Sequence, residues 1–333
     1  LIKFRANRSV FRFVSSYFQS DKIRRAFSIQ PLLVGGNPFT TTCIYSLIHF
    51  LERKHGVYFA MGGTGQLVKA LARLMEEVGI KIRLNTTVEK ININNKKIES
   101  IIDQNGKIRR AHYYVSNMDP LYLYNNLIKS QDSILLRYKK KRNKKSMGLF
   151  VLYFGTYKKY KDVKHHTIIF GKQYRELLDK IFLKKELSSD PSIYLHRPTA
   201  TDTSFAPKGC DSFYALVPVP NLDAQINWNK IGNDFKNNII NILDKTVLKD
   251  LKKNIVDEFF MTPKDFQNDY LSFKGSGFSL APFFTQSAWF RFHNKSEEIK
   301  NLFLVGAGTH PGAGIPGVLS SAKVIDKLIY LND

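Results

Sequence analysis

Apolar and polar positions repeat with two different periods along this chain, and each change of period marks a change of element. Over the first 55 residues Phe11, Val14, Phe18 and Ile23 recur at helical spacing among Arg and Lys, which predicts helices. Gly35-Gly36-Asn37-Pro38 interrupts that pattern, and residues 40–54 resume it. Gly62-Gly63-Thr64-Gly65 then opens an amphipathic helix in which Leu67, Ala70, Leu71, Leu74 and Val78 share a face, and Gly79 stops it. Short alternating segments follow at 80–84, 87–93, 97–102 and 107–111, with the hairpin dipeptide Asn105-Gly106 before the last. Residues 113–117 read as one more buried strand. From 118 to about 298 helices (121–129, 174–182, 235–246) mix with strands (149–154, 192–195, 213–219), and Pro191, Pro198, Pro207, Pro218 and Pro220 punctuate the loops. A strand at 301–305, a glycine-rich turn and a helix at 318–331 complete the chain, and no internal repeat is visible.

Length and composition narrow what these elements build. The 333 residues suffice for two domains, and 43% hydrophobic with 24% charged residues is close to the globular average, which excludes disorder and collagen-like repeats. No apolar run approaches the roughly 18 residues of a spanning helix. The densest runs, 147–155 and 302–308, have strand length. Cys43 and Cys210 supply neither a disulfide framework nor a CxxC knuckle, so a reducing compartment is expected and no metal site is predicted. The chain opens Leu-Ile-Lys-Phe, with neither Met nor a signal-peptide pattern, which suggests a chain cut from a longer one. Fifty-one Lys+Arg against 28 Asp+Glu give +23, a field that attracts nucleic acid, an anionic membrane face or a phosphorylated ligand. Lys, Asn and Ile are also the residues an AT-rich genome favours, so charge alone selects no partner.

The chemistry concentrates in residues 302–318, where an apolar strand runs into a loop with five glycines, Gly306, Gly308, Gly312, Gly314 and Gly317, followed by a helix. Such a loop brings backbone N–H groups and a helix N-terminus up to an anionic or oxygen-rich ligand. Pro316 suits the first helical turn. The spacing is G-x-G-x-x-x-G, which is not the dinucleotide fingerprint, and only 17 residues follow Pro316, too few for a second strand with a ribose-binding acid.

At residues 301–321 the sequence resembles the C-terminal signature of the bacterial-type phytoene dehydrogenases, carotenoid desaturases within the flavin amine-oxidase superfamily. The resemblance continues in Leu33-Val-Gly-Gly-Asn-Pro-Phe39, Gly56-Val-Tyr-Phe-Ala-Met-Gly-Gly-Thr-Gly65, Leu149-Phe-Val-Leu-Tyr-Phe-Gly155 and Thr285-Gln-Ser-Ala-Trp-Phe-Arg291. The N-terminal G-x-G-x-x-G that seats the FAD pyrophosphate in that family is absent from this chain. The resemblance implies an α/β flavoprotein of two interleaved domains. One is a Rossmann-like FAD-binding domain (56–117 and 297–333) lacking its N-terminal unit. The other is a mixed-sheet substrate domain (118–296) with a helical, membrane-facing part (1–55). It implies FAD as cofactor, with Gly306, Ala307, Gly308, Thr309 and His310 along the flavin and its ribityl chain. The backbone of Pro316, Gly317 and Val318 would meet the isoalloxazine ring, and Val88 would hold adenine through its main chain. It implies stepwise desaturation of phytoene to neurosporene, lycopene or a related carotene.

Other residues carry competing readings. Asp21 and Arg24 share a helix face, either as a solvent-exposed pair or, by the resemblance, as proton acceptor and charge partner near the flavin. His310 has no ligand-spaced partner and is read as shaping the loop. His165-His166 is read as structural, its rings pointing two ways from a strand. Phe273, Phe278, Phe283, Phe284, Trp289, Phe290 and Phe292 form either core or the lining of an apolar tunnel for a C40 polyene. The run 139–145, with six cations in seven residues, is a solvated loop or a contact with anionic headgroups. Nucleic acid is not expected, because no stacking groove or DNA-binding motif is present. The resulting expectation is a cytoplasmic bacterial enzyme, peripheral on an anionic membrane, acting on phytoene and partly desaturated carotenes, with homo-oligomerisation open. The alternatives are a carotenoid isomerase or another carotene desaturase on the same scaffold, and a non-catalytic basic membrane- or nucleic-acid-binding protein.

Overall fold

The structure, a computed structural model, describes residues 6–128 and 134–330. In chain order it has helices α1 (Val10–Ser15), α2 (Asp21–Ser28), α3 (Leu47–His55) and α4 (Thr64–Glu77). Strands β1 (Val88–Asn94), β2 (Lys97–Asp103), β3 (Ile108–Arg109) and β4 (Tyr114–Ser116) lead to helices α5 (Pro120–Tyr122) and α6 (Ile134–Arg142). Then come β5 (Gly148–Thr156), β6 (His166–Ile169), α7 (Tyr174–Asp179), β7 (Ile193–His196) and β8 (Asp211–Val219). The remainder is α8 (Trp228–Thr246), α9 (Leu251–Asn254), β9 (Ile255–Met261), α10 (Pro263–Tyr270), β10 (Leu302–Leu304) and α11 (Ile315–Tyr330).

Contacts divide the chain into two compact units, one of Leu1–Lys54, Asn85–Met147 and Phe266–Asp333, the other of His55–Leu84 and Gly148–Asp265. These limits differ from the expected ones. Residues 56–84 cluster with the second unit because their contacts lie there: Gly62 N donates to Asp202 at 2.6 Å, and the Phe59 ring packs edge-on to His165. Residues 118–147 and 266–296 cluster with the glycine-rich loop, since Leu121, Leu123, Leu280, Phe292, Leu302 and Leu304 share one core.

The second unit is a five-stranded sheet in the order β6-β7-β8-β5-β9, antiparallel throughout where a mixed sheet was expected. Alternate residues of β8 are buried, and the 19-residue α8 packs Trp228, Phe235, Ile239, Ile240 and Leu243 into the core with Phe150, Leu152, Leu195, Phe213 and Ala215. Asn227 caps α8 through Lys230 N. Gly232 lets the helix approach the sheet, because a Cβ there would lie 2.9 Å from the Phe260 ring. The amphipathic helix predicted after Gly63 is α4, yet it buries no residue: Leu67, Leu71 and Leu74 are 39, 43 and 54% exposed. No strand forms at 80–84.

In the first unit, β1-β2-β3 is an antiparallel sheet and β10 pairs in parallel with β4. The expected helix 121–129 is the short α5 followed by a wider turn over Leu123–Leu127, its last residue lying outside the described ones. The helix expected from 318 starts at Ile315, and its predicted end at 331 is likewise outside. The basic run is no solvated loop at its start. It is the C-terminal end of α6, with Lys139 buried and its Nζ 2.7 Å from Glu297, and Lys140 Nζ donating to the Tyr124 carbonyl at 2.9 Å. Lys144 and Lys145 lie over the rings of Phe283 and Phe273.

One buried ion pair ties the second unit together. Arg197 donates from Nε and Nη2 to both oxygens of Asp211, at 3.0 and 3.1 Å, and from Nη1 to the Val163 carbonyl. Asp211 also accepts from Thr199 Oγ1 and Tyr160 N, both at 2.7 Å. Removing one member of such a pair strands the other charge in a low-dielectric site. Asp211→Ala is therefore expected to lower unfolding free energy by about 3–5 kcal/mol, read by urea denaturation; a loss under about 1 kcal/mol would show that the guanidinium finds water instead.

Candidate functional site

The site grows from the parallel pair β4 and β10, whose carboxyl ends lie side by side, with Val305 N donating to Ser116 O at 2.9 Å. Loops leaving neighbouring parallel strands at this end are the usual place for a ligand. Here they interlock. Gly306 has φ +97°, and a Cβ on it would overlap the side-chain oxygen of Asn117; a Cβ on Gly308 would overlap the ring of Pro120. Both glycines are dictated by close approach of the loop after β10 to the residues that follow β4.

Side-chain hydrogen bonds hold the loop in shape. Gly306 N donates to Ser321 Oγ of α11 at 3.0 Å, and Thr309 Oγ1 donates to the Gly306 carbonyl at 2.9 Å. Buried Asn294 donates from Nδ2 to the carbonyls of Leu304 and His310, at 3.1 and 2.9 Å. Arg291, 1% exposed, donates from Nη2 to the carbonyls of Ala307 at 2.6 Å and Leu280 at 3.3 Å. Burial pulls its guanidinium pKa down, opposed by the nearby Tyr45 and Asp119. Burial likewise pushes the Asp119 carboxyl up, although Asp119 accepts from Leu121 N and Tyr122 N through Oδ1. Asp119 and Asn294 were not singled out from the sequence, and Arg291 and Ser321 lay at the ends of segments that carry the family resemblance without a role of their own.

The far side of the loop is open. Gly314 (φ +97°), Ile315 and Pro316 are exposed, and nothing lies within 4 Å of a Cβ built on Gly314. In the first turn of the 16-residue α11, Val318 N donates to the Gly314 carbonyl at 2.9 Å and Pro316 has no N–H, which leaves the N–H groups of Ile315 and Gly317 without a carbonyl of their own helix. Arg291 Nε and His310 Nδ1 are buried without a hydrogen-bond partner. Open space at a helix N-terminus, backbone donors and two unmet polar atoms fit one edge of a flavin. Gly317 has a different cause from the one expected: a Cβ there would lie 2.5 Å from the Gly312 carbonyl, so the loop itself requires the glycine.

Val88 begins the edge strand β1, half-buried, beside a register irregularity between Val88 and Lys90. Asp21 and Arg24 are not brought together. Asp21, its side chain 60% exposed, pairs with Arg25 at 2.7 Å, and Arg24 donates from Nε to the Phe18 carbonyl at 2.6 Å. Of the aromatic cluster, Phe292 is core, stacked near Tyr124, whereas Trp289 and Phe290 are 69 and 51% exposed.

In the second unit, His165 and His166 do not point two ways. Their rings are 4.4 Å apart, and with His196 they form a group whose ligand atoms all lie within 4.8 Å of one another. Burial lowers the pKa of all three, that of His196 to about 4 with help from the other two imidazoles.

A family model described as flavin containing amine oxidoreductase matches residues 1–186. Over 325 residues the chain is 44% identical to a lycopene-forming phytoene desaturase of Pantoea ananas, covering 97% of this chain and 66% of that one. Over 332 residues it is 42% identical to a neurosporene-forming phytoene desaturase of Rhodobacter capsulatus, covering 98% of this chain and 63% of the relative. The chain thus spans about two thirds of the length of the curated relatives it matches. Among solved structures, an oxidoreductase from Methanosarcina mazei superposes with a TM-score of 0.65 at 15% identity, over 98% of this chain and 70% of that one, a likeness of fold alone.

The glycine geometry separates two kinds of substitution. Gly317→Val, driven into the Gly312 carbonyl, is expected to cost about 1–3 kcal/mol of stability without any flavin present. Gly314→Ala carries only its positive-φ strain, about 1 kcal/mol. Chemical denaturation of both variants checks this, and equal stability of Gly317→Val and wild type would refute the internal contact.

Proposed function

The chain belongs to the flavin-containing amine oxidoreductase family, and on that premise we propose that it serves in an FAD-dependent phytoene desaturase that introduces C=C bonds into phytoene to give neurosporene or lycopene. The observation that carries this reading is 42–44% identity to phytoene desaturases along nearly the whole chain. FAD, when bound, supplies a two-electron acceptor for the hydrogen lost as hydride. The backbone of Gly306–Thr309 and of Pro316–Val318 would hold the flavin, the N-terminus of α11 favouring negative charge there. His310 would lend its unmet Nδ1 to the same edge, and Val88 its main chain to the adenine. Asp21 is an accessible carboxylate and would take the proton from the neighbouring carbon, with Arg25, 2.7 Å away, as its compensating cation, while Arg24, anchored on the Phe18 carbonyl, would balance charge near the flavin.

We further propose an anionic membrane surface as partner and a peripheral, cytoplasmic location in a bacterium. No helix among the described residues is long and apolar enough to cross a membrane. Net charge +23 and the exposed Trp289, Phe290, Lys141, Arg142 and Lys144 support contact with headgroups and their apolar boundary.

Two experiments follow. Expression of the protein in a bacterial host that accumulates phytoene is expected to yield coloured carotenes that have lost two hydrogens per step, read by mass and absorbance. Phytoene with altered double-bond geometry and unchanged mass would favour the isomerase reading; unaltered phytoene beside FAD-loaded protein would refute both. Vesicles containing anionic lipid are expected to bind the protein more tightly than neutral ones, by about 1 kcal/mol per engaged cation. Replacing Lys141, Arg142 and Lys144 with Gln should erase that preference, and equal binding to both vesicle types by the unaltered protein would remove the membrane proposal.

A further inference from the structure

The three histidines of the second unit sit outside everything assigned above. His166 opens β6 and His196 closes β7, and the two are directly paired across the antiparallel ladder. His165 precedes the strand, its carbonyl accepting from Arg197 N at 2.9 Å, and so escapes the alternation that would send adjacent side chains to opposite faces. Ring centroids of His165 and His166 lie 4.6 and 5.4 Å from that of His196. Tyr214 stacks on His196 at 4.5 Å, and Phe59 stands edge-on to His165 at 4.7 Å, so aromatic rings flank two of the three histidines while His166 faces solvent.

The hydrogen bonds engage one nitrogen on each of two rings and leave the other. His165 Nδ1 bonds Thr201 Oγ1, and its Nε2 is buried with no partner. His166 Nδ1 bonds the Tyr194 hydroxyl at 2.6 Å, and that hydroxyl also lies 3.4 Å from His196 Nδ1. Metal-ligating imidazoles use this arrangement, one ring nitrogen fixed by an oxygen and the other offering its lone pair. An ion held at about 2.0–2.1 Å by three imidazoles needs its donors closer together than the 4.8 Å within which these lie, so the rings must draw in as the ion binds. No carboxylate or thiolate joins the group among the described residues. All-imidazole ligation suits Zn²⁺, with Cu²⁺ and Ni²⁺ as tighter or comparable competitors, and excludes Mg²⁺ and Ca²⁺.

We propose that His165, His166 and His196 bind one Zn²⁺-class transition-metal ion, clipping the end of the β6–β7 pair and leaving a fourth position for water. The test uses the whole chain, purified without a histidine tag and stripped with chelator, titrated with Zn²⁺ alone. One equivalent is expected to bind and raise the melting temperature. His166→Ala, at the exposed ring, is expected to weaken binding at least about 100-fold while the metal-free variant melts like the metal-free wild type. His293→Ala, in the other unit and paired with Glu297, should bind as wild type does. Independently of any variant, Co²⁺ in place of Zn²⁺ should give the intense visible bands of a four- or five-coordinate nitrogen site. Absence of stoichiometric Zn²⁺ binding, undiminished binding by His166→Ala, or a six-coordinate, water-like Co²⁺ spectrum would each overturn the proposal.

Discussion

A guanidinium with almost no access to water has to find its hydrogen bonds in the backbone, and Arg291 finds them in the glycine loop. Its bond to the Ala307 carbonyl fixes the early part of the segment between β10 and α11. Its bond to Leu280 fixes that segment to a second stretch of chain. Once Ala307 is fixed, Gly306 and Gly308 must pass within contact of Asn117 and Pro120, so no side chain fits at either position. Burial raises the pKa of Asp119, the nearby acid, and the direct hydrogen bonds of the guanidinium go to the carbonyls of Ala307 and Leu280. Loop shape, glycine pattern and the exposed start of α11 descend from where one cation is buried.

The surplus of positive charge is less uniform than the count suggests. Lys139 and His293 converge on Glu297, Lys236 meets Glu258, and Lys158 approaches Asp250. Lys144 and Lys145 rest on phenylalanine rings, which stabilise a cation without neutralising it. A long-range field therefore survives, but several lysines of the basic run are already engaged within their own unit, and only part of the run is open to a headgroup.

Period and glycine placement made much of the fold legible. The strands at 149–154 and 213–219 appeared as β5 and β8 within a few residues, because a half-buried antiparallel strand writes its alternation into the sequence. β6 and β9 did not, since four residues beginning with His and seven containing two acidic positions carry too little apolar contrast. α4 was legible as a helix but not its setting: periodicity states that an apolar face exists, not what covers it. In the candidate site the glycines and Pro316 were readable as a loop entering a helix. Arg291 and Asn294 were not, because a buried polar residue is recognised by what its neighbours leave unsatisfied, and neighbours distant in sequence have no local signature. The pairing of Asp21 with Arg25 in place of Arg24 was beyond reach for a different reason, since positions three and four apart share one helix face.

The two buried arginines differ in a way that separates framework from site. Arg197 places Nε, Nη1 and Nη2 on protein acceptors, including both oxygens of a carboxylate, so each of its three nitrogens has a partner. Arg291 spends Nη2 on two carbonyls and leaves Nε buried and unmet, beneath Gly312, whose Cβ would come only within 3.8 Å of it. A structure that can partner every nitrogen of a buried guanidinium in one unit gains nothing by leaving another nitrogen bare, since each unmet buried donor costs about 1–3 kcal/mol. Such an open donor is tolerated where a water or a ligand completes it, and here it lies against Gly312 of the loop that also carries the unmet His310 Nδ1 and opens at Gly314.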